Sequence, residues 1–271
     1  MKIFRAELES GLPKESTQNK SKKSYKQPSL FPLDEDKGLN NAGDFRSKDC
    51  IELLKLADIV VTNPPFSLFR EYVAQLVEYK KKFLIIGNIG ATSYKKIFKL
   101  IRENKLWLGS VLSYAAFKVP KHYEERSNRF WIDENGQKWR SFGNICWFTN
   151  LTHKKRNEIL ETIASYTKTP EKYPKYDKYD AINVDKVIDI PLDYNGVMGI
   201  PTTFLNSYNP KQFEIIGMLS SSGYDNEVVG IPFLGNGDAR AVINGQARYS
   251  RILIRKIAEV DELRKQEQEK M

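Results

Sequence analysis

Cysteine and histidine are scarce: the chain of 271 residues contains only Cys50, Cys146, His122 and His153. Two of each cannot supply a disulfide framework or a Cys/His zinc cage, so no metal is expected. Long hydrophobic runs are missing as well. No window approaches the roughly 18 to 20 unbroken apolar residues that a bilayer span needs. Residues 1–30 hold no apolar stretch of the kind that forms the centre of a secretory leader. The expected compartment is reducing cytoplasm, with no membrane association. Positive charge, by contrast, is plentiful. The chain has 43 Lys and Arg against 34 Asp and Glu, a formal net charge of +9, and mean hydropathy is −0.52. Such a balance points toward a polyanionic partner, although charge alone speaks to steering and solubility rather than to fold.

Residues 1–42 are polar, follow neither a twofold nor a 3.6-residue apolar period, and are expected to be disordered. The character changes at Asp58-Ile-Val-Val-Thr62, a β-branched run stopped abruptly by Asn63-Pro64-Pro65-Phe66. Ser67 can cap a helix with Leu68, Tyr72, Val73, Leu76 and Val77 on one face, closed by Lys80-Lys81-Lys82. Phe83–Gly87 reads as a second buried strand, and Thr92 or Ser93 can cap a helix with Tyr94, Ile97, Phe98 and Ile101 inward. Strand, helix, strand, helix means an α/β chain with a parallel sheet. Leu106–Leu108 reads as a further strand. Asn128–Ile132 and Trp139–Thr149 then flank Asn135-Gly136, a hairpin expected to form an antiparallel edge. His153 to Tyr166 reads as a helix, 166–180 as a linker or an extended surface segment, and 166–271 as a smaller mixed region with strands near Phe213–Met218 and Tyr249–Ile254.

The strongest chemical signal is Asn63-Pro64-Pro65-Phe66 at the carboxyl end of a buried strand, where open α/β sheets place their ligands. An exocyclic amine on a base is a poor nucleophile because its lone pair is delocalised into the ring. The amide oxygen of Asn63 and the carbonyl of Pro64 can each accept one N–H, holding the nitrogen toward tetrahedral geometry and freeing the lone pair to attack an electrophilic methyl group. The two prolines stiffen the loop, and Phe66 offers a flat face for a flipped base. The simpler alternative is a turn that merely ends a strand.

These residues, together with Gly43-Asp44-Phe45-Arg46-Ser47, Cys50–Leu54, Lys82–Asn88, Trp147–Leu151, Gly196–Gly199, Asn209-Pro210, Phe213–Gly217 and Tyr249–Ile252, resemble EcoRI-type adenine-specific DNA methyltransferases. The resemblance covers nearly everything after residue 43. It implies a partial Rossmann-like fold, transfer of a methyl group from S-adenosylmethionine to N6 of adenine, double-stranded DNA as partner, and a place in restriction-modification. Carried over residue by residue, it makes Asn63, Pro64, Pro65 and Phe66 the catalytic loop and Asp44 and Phe45 the contacts to the cofactor's adenine ring. Trp147 falls where similar enzymes place a second aromatic against the flipped base. A turn carboxylate at Asp44 and a buried hairpin tryptophan at Trp147 are the plainer alternatives.

A full sheet of this kind needs about 30 residues per strand-helix-strand unit, hence most of the chain before Asn63. Residues 1–42 show no such strands, and the glycine pairs Gly235-Asn-Gly237 and Gly87-x-x-Gly90 fall in the wrong places for a cofactor loop. The expectation is a partial catalytic core over 43–165, the C-terminal portion of a truncated or split enzyme, with Asp58–Thr62 left as an unpaired edge. A second chain would then supply the missing half.

The charge is concentrated. Between Lys80 and Trp107 eight basic residues face one acid, a local balance of +7. Lys95, Lys96, Lys99 and Arg102 share a helix face opposite the apolar one and are candidates for DNA phosphates, a solvated face being the default. Lys154-Lys155-Arg156 and the tyrosine-lysine segment 172–180 are further candidates. Residues 166–271 are the expected DNA-recognition part. Two other functions use the same features: methylation of an RNA base or a glutamine amide, and a non-catalytic basic DNA-binding remnant.

Overall fold

The computed structural model describes residues 3–4, 44–110, 116–125, 129–220, 225 and 241–257, arranged as two compact units, Met1–Gly87 and Asn88–Met271. Most of the segment expected to be disordered lies outside the described residues.

The first unit contains β1 (Ile3–Phe4), α1 (Lys48–Leu56), β2 (Ile59–Thr62), α2 (Phe69–Glu78) and β3, which runs from Lys82 to the unit boundary. β2 pairs in parallel with β3, Ile59 opposite Lys82 and Thr62 opposite Ile85. Its other edge is not vacant. Ile3 and Phe4 pair in parallel with Ile59 and Val60, which corrects the expectation of an unpaired strand. The β-branched run Ile59-Val60 presents unsatisfied N–H and C=O groups along its edge, and the distant extended dipeptide satisfies part of that row.

Ser47 caps α1 by accepting from the Cys50 amide at 3.2 Å. The cation effect at helix ends is realised across elements: Lys81 Nζ donates to the carbonyls of Lys55 and Ala57 at the end of α1. Lys80 itself adopts a left-handed conformation, φ 52°, and lets the Lys81 amide bond back to the Leu76 carbonyl, a six-to-one closure of α2. α2 buries Phe69, Tyr72, Val73 and Leu76. Ser67 does not cap it. A single 3-10 turn, Phe66–Leu68, leads into the helix and places Ser67 inside the turn.

The second unit opens with α3 (Lys95–Arg102), which buries Ile97, Phe98 and Ile101. Tyr94, expected inward, is exposed, because the Ile89–Ser93 turn before the helix leaves it at the cap position. β4 (Trp107–Leu108) and β8 (Ile145–Thr149) pair antiparallel. Between them β5 (Ala116–Lys118), β6 (Phe130–Ile132) and β7 (Lys138–Ser141) form a separate antiparallel sheet, order β5-β7-β6. The hairpin expected at Asn135-Gly136 is therefore present but belongs to its own sheet, because β5 and β6 occupy both edges of β7. Only Gly136 has positive φ, +72°, so the turn is the bulged kind and not the tight two-residue one.

The C-terminal sheet comprises β9 (Ile182–Asn183), β10 (Met198–Pro201), β11 (Phe213–Leu219) and β14 (Arg251–Lys256), in the order β11-β14-β10-β9. β12 (Val242–Ile243) and β13 (Gln246–Ala247) form a small hairpin. The helix expected from His153 to Tyr166 is a 3-10 turn, Lys154–Asn157, followed by extended chain. Side chains fifty residues on claim its backbone: Gln212 bonds both the Leu160 amide and carbonyl, and Asn209 donates to the Glu158 carbonyl. Those bonds replace the helical ones. Nor is 166–180 a linker, since Tyr173 and Tyr176 are buried. Its start is clipped by Asp193, which accepts from Ser165 Oγ and the amides of Tyr166 and Thr167; these bonds hold its carboxyl well below the usual range. No helix among the described residues is long and apolar enough to cross a membrane.

Candidate active site

Asn63 follows β2 directly and is exposed, and no hydrogen bond claims its side chain or the Pro64 carbonyl among the described residues. The Pro65 carbonyl is taken by the Leu68 amide at 3.0 Å, which fixes the start of the 3-10 turn. Pro64 is buried and Asn63 is exposed, so the loop is anchored at its first proline. Phe66 is 41% exposed, a cost that a loop ending in a packed helix has no structural need to bear. An exposed amide and an unclaimed carbonyl next to an exposed flat ring have the chemistry to match a planar group bearing an NH2.

Asp44 and Phe45 lie just before α1, in the same unit. Asp44 Oδ1 accepts from the Arg46 amide and Nε, and Oδ2 from Nη2 at 2.7 Å. The Arg46 side chain holds the Asp44 carboxyl below its ordinary range, and Arg46 also reaches Glu71 of α2 at 3.3 Å. Oδ2, with one bond accepted, keeps a lone pair for a further donor. Phe45 is buried, edge-on to Tyr72 at 5.0 Å.

Between α1, β2 and α2 runs an apolar pocket lined by Phe45, Cys50, Leu54, Ala57, Tyr72 and Gln75 and by β2 from Ile59 to Thr62, the residue before Asn63. Gln75 is its one informative polar group. Nε2 donates to the Phe45 carbonyl at 3.1 Å, which fixes the amide's orientation, and Oε1 is then buried with no partner among the described residues. A buried acceptor without a donor costs about 1 to 3 kcal/mol, so the site is complete only when something donates to it. A flat ring carrying an exocyclic amine fits these acceptors, and the adenine end of S-adenosylmethionine is such a group. Sequence reasoning missed Gln75. The available signal was a lone amide between the apolar positions Tyr72 and Leu76, with no reason on the surface to prefer it there.

Of the remaining expected residues, Trp147 lies in β8, half-buried, with Gly109 closely against its Cβ. On α3, Lys95 and Lys96 are exposed without a partner among the described residues, and Lys99 approaches Glu103 at 3.8 Å. Arg102 is engaged otherwise: its Nη1 meets Asp225 at 2.9 Å, and Asp225 also accepts from the Met218 amide. Asp225 is 5% exposed. Removing its partner strands a buried carboxylate. Arg102→Ala is therefore expected to lower stability by about 2 to 3 kcal/mol, read as a lower urea midpoint, the full buried-pair penalty being reduced by the partial exposure of Arg102. An unchanged midpoint would place Arg102 outside the fold's framework. In the stretch 154–156, Arg156 stacks over Trp107 at 3.9 Å and donates to Asn104, so it too is committed to packing.

A family model described as adenine-specific methyltransferase EcoRI matches residues 6–257. The type II methyltransferase M.EcoRI of Escherichia coli is 50% identical over 215 residues, 79% of this chain and 62% of that protein, so the chain spans less than two thirds of that relative's length. M.MgeORF184P of Mycoplasma genitalium is 42% identical over 225 residues, 80% of this chain and 70% of its own. M.MpnI of Mycoplasma pneumoniae is 44% identical over 220 residues, 79% and 68% respectively. No solved structure matches.

Proposed function

The chain belongs to the adenine-specific methyltransferase EcoRI family, and from that membership we propose that it methylates N6 of adenine in double-stranded DNA with S-adenosylmethionine as donor. The observation that carries the reading is the exposed Asn63 side chain and the Pro64 carbonyl, neither claimed among the described residues, next to the exposed ring of Phe66. The parallel strands β1, β2 and β3 with α1 and α2 then form part of a Rossmann-like sheet.

In this reading the target adenine leaves the duplex and stacks on Phe66. Asn63 Oδ1 and the Pro64 carbonyl accept the two N6 hydrogens, drawing the lone pair out of conjugation with the ring. Bound S-adenosylmethionine supplies an electrophilic methyl group on a sulfonium sulfur. The donor would supply that methyl group to N6, its sulfur leaving as a neutral thioether and one N6 proton going to solvent. Phe45, Gln75 and the spare lone pair of Asp44 hold the cofactor's adenine, with Gln75 Oε1 taking an N–H from its amine. Lys95, Lys96 and Lys99 offer charge to DNA phosphates, while Arg102 serves the fold. Residues 166–271 belong to DNA recognition, and the working compartment is the cytoplasm, where DNA is found.

The cofactor half of this reading has a test independent of turnover. Cys50 lines the pocket and is half-buried, whereas Cys146 is buried and its thiol is pushed up to about 12 by desolvation. S-adenosylmethionine is expected to slow modification of Cys50 by a thiol reagent while Cys146 stays inert. Gln75→Leu, which removes the acceptor, should raise the concentration needed for protection about tenfold. Equal modification rates with and without S-adenosylmethionine would overturn this placement. Protection at micromolar concentrations by the purified chain would also remove any need for a second chain supplying a cofactor half.

A further inference from the structure

The sheet β5-β7-β6 is unusual in what it leaves uncovered. None of its ten residues is buried, and Phe117, Trp131 and Ile132 are 47%, 43% and 55% exposed. Three short strands ordinarily need one apolar face packed on something to be stable. Here the cross-strand pairs do that work. Register places Lys118, Trp139 and Trp131 in one row, hence on one face. Trp131 and Trp139 stack at 6.4 Å with planes 8° apart, and Lys118 Nζ lies 5.5 Å from the Trp139 ring. The opposite face is partly covered by its own neighbours, Arg140 lying over Phe142 and Tyr123, and Lys138 over Phe130.

We propose that the Lys118–Trp139–Trp131 face is a DNA-contacting platform, distinct from the adenine-holding loop, on which an unstacked base lies against Trp131 while Lys118 meets a phosphate. This rests on the proposed function only in taking DNA as the partner. Three observations select a nucleic acid over a protein. The ten strand residues include no acid, and of their three cations Lys118 lies on this face while Lys138 and Arg140 lie on the other. The nearest carboxylate, Asp133, is spent within the turn, accepting from Trp139 Nε1 and the amides of Asn135 and Gln137. Along the row the Lys118 cation stands at one end and the exposed Trp131 ring at the other, with Trp139 between them, a pairing that suits a phosphate and a stacked base, whereas a protein partner would call for an aliphatic patch with a neutral rim.

The test is anisotropy of a labelled DNA duplex titrated with the full chain at several salt concentrations. Trp131→Ala should raise Kd at least about fivefold, as expected for loss of one stacked base. Trp131→Phe, which keeps a ring, should stay within about twofold of wild type, and an unaltered Tm for the alanine variant separates lost stacking from a folding defect. Lys118→Ala should lower the slope of log Kd against log salt by about 0.9, one phosphate's worth of released counterion. If wild type binds duplex and Trp131→Ala and Lys118→Ala bind with unchanged Kd and slope, the platform is wrong while the methyltransferase reading stands. A self-association of wild type abolished by Trp131→Ala, with DNA affinity unmoved, would assign the face to a second copy and equally overturn it. Absence of DNA binding by the wild type itself would sink both this proposal and its parent.

Discussion

Asn63→Ala is expected to reduce methyl transfer by at least about 100-fold, the loss typical when one preorganised acceptor or donor at a reacting centre is deleted. Asn63 is exposed and its side chain has no partner among the described residues, so its removal costs the fold nothing that the structure shows. The effect should therefore appear in turnover, with DNA affinity within severalfold and the Cys50 protection by S-adenosylmethionine unchanged. Asn63→Asp keeps an oxygen acceptor in place and should retain more activity than the alanine variant. Single-turnover rates with a methyl-labelled donor measure the difference directly. Normal methylation by Asn63→Ala would remove the loop from the chemistry.

Gly199→Ala should be the most damaging single methyl group in the C-terminal sheet. A Cβ at Gly199 would stand 2.2 Å from the Tyr176 hydroxyl and 2.6 Å from its ring. That ring cannot swing away. Tyr176 is 6% exposed and packed among Ala181, Leu219, Ala241, Ile243 and Leu253. Its hydroxyl donates to Asn183 Oδ1 at 2.9 Å, the same oxygen that accepts from the buried Arg251 at 3.1 Å, and it also approaches the Gly199 carbonyl. Overpacking and a broken buried network together are expected to cost about 2 to 4 kcal/mol. For a chain of this size that corresponds to a drop in Tm of roughly 5 to 15 °C. Tyr176→Phe in the same background vacates the space that the hydroxyl fills and should recover part of the loss. An unaltered Tm for Gly199→Ala would contradict the close approach.

What the sequence made legible was what it encodes locally. The loop at Asn63 was readable because a β-branched strand, two prolines and an amphipathic helix follow one another between Ile59 and Glu78, and local pattern alone identifies such a unit. The strands near Phe213 and Ile252 were readable for the same reason. Misreadings occurred where a distant residue decides. The stretch from His153 has helical spacing, but Asn209 and Gln212 capture its backbone. Arg102 looks like one more cation on a basic helix face until Asp225, 123 residues away, folds beside it. Gln75 becomes part of a site only because the Phe45 carbonyl, 30 residues earlier, orients its amide. The edge of β2 is likewise met by residues 3 and 4, which carry no strand signal of their own. Gly199 was not read as part of a strand at all, and its place in β10 is explained by the close approach of Tyr176, 23 residues earlier.

The central claim is that this chain's loop methylates adenine in DNA. The most direct test incubates the purified protein with methyl-labelled S-adenosylmethionine and duplex DNA, then digests the DNA to nucleosides and identifies the labelled one. The account predicts label in N6-methyladenine, present with wild type and lost with Asn63→Ala. Label on cytosine, or label in N6-methyladenine that persists undiminished in Asn63→Ala, would contradict it.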